Sequence, residues 1–166
     1  FIAATPRRII LTISGFTVAH SLTLALSALN MVQLPVPPVE AAIALSIVFL
    51  AHEIAVENKS SWTWRYPLLV SVSFGFLHGF GFAAVLREIG LPQTELVAGL
   101  LFFNIGVEIG QVIFVAAILF AVAVIGALVS LNRENLLAHR RVVNLSSYAI
   151  GITASYWLIE RIVNFT

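Results

Sequence analysis

The run LVAGLLFFNIGVEIGQVIFVAAILFAVAVIGALVS, from Leu96 to Ser130, holds 35 residues and a single ionisable side chain, Glu108. A stretch this long and this apolar reads as a helix crossing a bilayer, because a spanning helix needs about 20 mostly apolar residues. At about 1.5 Å per residue it outruns a hydrocarbon core about 30 Å thick. It must therefore tilt steeply, protrude, or break near Gly126; two full spans do not fit. The apolar runs are continuous and do not alternate as barrel strands would.

Four further runs have the same character: roughly Ile9 to Leu29, Val39 to Val56, Pro67 to Leu86 and Val142 to Val163. The expected fold is an all-α, polytopic transmembrane bundle forming one domain, with five visible spans. If Phe1 to Ala4 ends an earlier helix, the complete bundle has six. Of the 166 residues 60% are hydrophobic and 10% charged, against about a quarter charged in an average soluble domain. A water-facing surface cannot be made from that inventory, so lipid is the expected partner. A net charge of +1 gives no footing for nucleic acid, and the lack of cysteine leaves nitrogen and oxygen as the only strong metal donors.

The connections carry turn chemistry. Pro35, Pro37 and Pro38 separate the first two spans, Asn58 to Tyr66 is polar with Trp62 and Trp64 at interface depth, and Gly90-Leu91-Pro92 breaks after the third. Asn132 to Arg141 reads as the most charged loop. One side of the membrane receives Arg7, Arg8, Lys59, Arg65, Arg133, Arg140 and Arg141, the other only Arg87 and Arg161. That bias places the visible N-terminus in the cytoplasm and the C-terminus outside.

An ionisable group at the centre of a bilayer costs about 2.5 to 3.5 kcal/mol on insertion scales, so each one needs a reason. His20 lies mid-span with Thr17, Ser21 and Leu24 on its helical face; a hydrogen bond to a neighbouring helix is the structural reading, and a ligand role is the functional one. His78 lies mid-span between Gly75 and Gly79, which let another backbone approach. Asn104, Glu108 and Gln111 recur at i, i+4 and i+7, with Gly106 and Gly110 expected to pack on a different side. The second span adds Ser46, Glu53 and Glu57 on one face and Glu40 at the opposite end. Glu57, near Lys59, reads as interfacial and His52 as a bystander. His139 reads as solvated, Ser155 and Tyr156 as polar linings, Glu160 and Arg161 as interfacial anchors. Convergence of His20, His78, Glu108 and Glu53 would suit a borderline divalent ion such as nickel, zinc or cobalt, with Thr17, Ser21, Glu40, Asn104 and Gln111 as supporting polar groups. No spacing among them is a specific metal motif.

Four segments together resemble the HupE/UreJ family of membrane proteins: Phe16-Thr17-Val18-Ala19-His20-Ser21-Leu22-Thr23-Leu24, Val39-Glu40-Ala41-Ala42-Ile43-Ala44-Leu45-Ser46-Ile47, Phe74-Gly75-Phe76-Leu77-His78-Gly79-Phe80-Gly81-Phe82-Ala83 and Phe103-Asn104-Ile105-Gly106-Val107-Glu108-Ile109-Gly110-Gln111. They cover the first four spans in order; the fifth matches only in character. The resemblance implies a permease or accessory factor for a divalent metal, associated with nickel transport and with hydrogenase and urease gene clusters, in a bacterial inner membrane. It puts the patterned polar residues on His20, Glu40, Glu53, His78, Glu108 and Gln111. It also implies an earlier helix with a glycine, aspartate and histidine motif. Two other readings stand beside transport: a structural or accessory subunit of a larger membrane complex, and an intramembrane metal-dependent hydrolase. No catalytic residue is expected, since neither a GxSxG elbow nor an HExxH pair is present.

Overall fold

The computed structural model describes residues 5–89, 95–128 and 133–165. These residues form six helices and no strand: α1 Pro6–Ala28, α2 Val36–Val56, α3 Trp62–Arg65, α4 Pro67–Ile89, α5 Leu96–Leu128 and α6 Arg133–Val163. α1, α2, α5 and α6 contain apolar stretches long enough to cross a membrane, and α4 contributes the shorter stretch Pro67–Ala83. The expected transmembrane bundle is thus present. The expectation that residues 1–4 end a further helix, and the break at Gly90-Leu91-Pro92, lie outside the described residues.

Proline sets several of the starts. Pro6 opens α1, where its missing N–H would have lacked a partner anyway, and Thr5 caps the same turn by accepting from the Arg8 amide at 3.4 Å. α2 likewise carries proline in its first turn and ends on Glu57 in the left-handed region, φ 52°. Two expectations are corrected. The long fourth run is one unbroken helix through Gly126, and residues 133–141 are not a loop but the first turns of α6. Charge kept that segment out of the hydropathy signal without opposing a helical backbone.

The closest packing is α1 on α4 and α2 on α6; α4 also meets α2, and α1 meets α5. The long helices are therefore ordered α5, α1, α4, α2, α6. Glycine makes the α1–α4 contact tight. A Cβ on Gly75 would collide with the Phe16 carbonyl, and one on Gly79 with the His20 carbonyl and the Thr23 hydroxyl. The Ser71 hydroxyl donates to the Thr12 carbonyl at 2.8 Å across the same seam. Leu24, Ala28, Ala83 and Leu100 form the apolar core beyond it, with Phe103 packed alongside. Gly106 and Gly110, expected to pack, have no neighbour within 4 Å among the described residues.

Candidate intramembrane polar site

His20 is 1% exposed, and neither ring nitrogen has a hydrogen-bond partner among the described residues. Its surroundings are aromatic. Phe16, one turn earlier on α1, stacks on it at 5.8 Å; Phe103 of α5 stacks at 6.4 Å; Phe82 of α4 meets it edge-on at 5.3 Å. The hydrogen bond to a neighbouring helix that would explain a buried imidazole is not there. Buried polar groups are normally paired, so this unpartnered imidazole is an exception in the bundle's interior.

His78 of α4 touches the same Phe16 ring, edge-on at 5.5 Å. Its Nε2 lies 3.3 Å from the Ser46 hydroxyl of α2. The same hydroxyl lies 2.7 Å from the Ile43 carbonyl, and whether its proton goes there or to His78 fixes the imidazole tautomer.

A cavity of about 250 Å³ lies between α1, α2 and α4 and reaches His78. Phe16, Phe74 and aliphatic side chains form nearly all of its exposed wall, and Thr12, Ser46, Thr63 and Ser71 stand along it with their hydroxyls almost wholly covered. Thr63, on α3, is 2% exposed and its hydroxyl has no partner among the described residues. The cavity therefore runs from the end of the bundle that carries Arg7, Arg8, Lys59 and Arg65 to mid-membrane.

The carboxylates are elsewhere. Glu53 is buried near the end of α2 and accepts from the Ser61 hydroxyl. Glu40, at the opposite end, pairs with Arg161 of α6 at 3.2 Å, and the guanidinium also lies 5.9 Å over the Trp157 ring. Both partners of that pair are partly exposed, so its expected contribution is small: Glu40→Gln should change thermal stability in detergent by less than about 1 kcal/mol. Glu108 is exposed on α5, although its neighbours on the same face are engaged with α1. Ser21 donates to Asn104 Oδ1 at 2.7 Å, and Thr17 to Gln111 Oε1 at 3.2 Å. Among the described residues no three histidine, aspartate or glutamate side chains gather in a metal-holding group. The structure brings His20 and His78 to one phenylalanine and keeps Glu53, Glu40 and Glu108 apart from them. His52 is exposed.

Sequence reasoning missed the aromatic cage and the Ser61 and Thr63 hydroxyls. Phe16 and Phe82 stand four residues from His20 and His78, so helical spacing already put each on its histidine's face. Nothing in the chain pointed to Phe103, Ser61 or Thr63.

Long apolar helices, ionisable groups at membrane depth and an internal cavity define a polytopic α-helical membrane protein. A family model described as HupE / UreJ protein matches residues 1–161. The chain belongs to the HupE/UreJ family. No curated protein and no solved structure matches it.

Proposed function

We propose that this HupE/UreJ chain binds a divalent transition-metal cation, nickel, cobalt or zinc, and carries it across a bacterial inner membrane, with the N-terminal end of α1 on the cytoplasmic side. His78 and His20 are the nitrogen ligands met in succession, and Glu53, one helical turn from the cavity-lining Leu50, is the carboxylate on the path. The observation that carries this reading is the cavity that leads from Thr63 to His78. Its wall is almost wholly apolar and includes the His78 imidazole, the donor type that borderline ions prefer.

The test is uptake of nickel, cobalt and zinc into vesicles reconstituted with the full chain. His78→Ala is expected to abolish uptake. Ser46→Ala, which removes only the partner that orients His78, is expected to weaken apparent affinity by about tenfold. Wild-type uptake of all three ions by the His78→Ala protein would remove the assignment.

A further inference from the structure

Phe16 belongs to two environments at once. It helps wall the cavity that reaches His78, and its ring meets that imidazole edge-on at 5.5 Å. The same ring stacks on His20 at 5.8 Å with 10° between the planes. His20 does not line the cavity. It is 1% exposed, and Phe82 and Phe103 complete its cover. Of the three rings around His20, Phe16 alone also lines the cavity, so the boundary between the open space and the closed cage is one side chain.

The backbone on which that side chain stands is held in place. A Cβ on Gly75 would strike the Phe16 carbonyl and one on Gly79 the His20 carbonyl, so α4 lies directly against α1 at both residues. Parting the helices would move each as a body, whereas turning a ring changes only side-chain torsions. An aromatic residue on a helix has two favoured χ1 positions, and the cavity of about 250 Å³ gives the ring space to enter. On the transport reading, in which an ion meets His78 and then His20, we propose that Phe16 is the gate between the two histidines. In its observed position the ring seals His20; turned into the cavity, it opens the cage on the side of His78. It acts on passage and leaves coordination to the imidazoles.

The chain contains no cysteine, so a single thiol reports access to each position without background. His78→Cys and His20→Cys versions of the full-length chain, in membrane vesicles, are treated with a small methanethiosulfonate reagent bearing an ammonium group, and the modification rate is read by mass. The thiol at position 20 is expected to react about tenfold more slowly than the one at 78, since reactivity follows access. Adding Phe16→Ala should bring the rate at 20 up to that at 78 and leave the rate at 78 unchanged. Phe16→Leu, which keeps most of the side-chain volume, should give about a threefold gain and serves if the alanine protein does not fold. Phe82→Ala removes a cage ring that is not part of the cavity wall, and the rate at 20 should stay low. Equal gains from Phe82→Ala and Phe16→Ala would mean that the cage had merely loosened, and no gain from either change at Phe16 would mean that the ring closes nothing; both overturn the gate. So would a thiol at 78 as slow as the one at 20, because the cavity would then admit no cation. No arm reads uptake, so the gate and the transport reading fail separately.

Discussion

Gly79→Ala is expected to destabilise the bundle by several kcal/mol, and Gly79→Leu to prevent its assembly. The reason is the identity of the atoms a side chain would meet. A Cβ at Gly79 runs into the His20 carbonyl and the Thr23 hydroxyl and comes within 2.9 Å of the Leu24 amide nitrogen, so most of the obstruction is α1 backbone. A flexible side chain can turn aside, but a helix backbone has to move as a body. Overpacking of a tight interior costs about 1 to 3 kcal/mol even when side chains can adjust, and α1 on α4 is the most extensive helix contact among the described residues. Forcing the two apart would also disturb the cage around His20, to which α4 contributes Phe82. Gly106→Ala is the matched control: nothing described lies within 4 Å of a Cβ there, and its stability should stay at the wild-type value. Thermal unfolding in one detergent compares the three proteins. Equal melting of Gly79→Ala and wild type would mean that the helices are not held at this distance.

The contrast between these glycines shows what was legible in the chain. The spans could be read because hydropathy reports the solvent around a segment, and both Pro6 and Gly75 sit where local rules put them. Hydropathy does not report which helix neighbours which. Gly75-Gly79 and Gly106-Gly110 have the same spacing, yet among the described residues only the first pair meets another backbone. Glu108 was expected to face inward with Asn104 and Gln111. Four residues on a helix return to the starting direction with an offset of about 40°, and here that offset carries Glu108 past the edge of the α1 contact while its two neighbours keep theirs. The cage around His20 was half legible, since Phe16 follows from helical spacing whereas Phe103 arrives from a helix far along the chain. The helical start of α6 was hidden for a different reason: its charged residues sit in a helix regardless of whether lipid surrounds it.

His20→Leu is expected to raise the stability of the metal-free protein while removing its response to metal. An imidazole with both nitrogens unpartnered carries the full desolvation penalty of its polar atoms, about 1 to 3 kcal/mol. Leucine has a comparable volume and no polar atom, and Phe16, Phe82 and Phe103 offer it an apolar surround. Without metal, the variant should therefore melt above wild type. Metal reverses the order. An ion that binds the folded state alone stabilises it by about 2.7 kcal/mol at a hundred times its Kd, and only the protein that keeps the imidazole receives that gain in full. Titrating nickel, cobalt and zinc into both proteins during thermal unfolding should make the two curves cross, and uptake by the leucine variant should be lost. A variant that melts below wild type without metal would show that the ring nitrogens are satisfied after all. Equal metal-induced stabilisation in both proteins would show that the ion never meets His20, leaving the cage as packing and His78 as the end of the path.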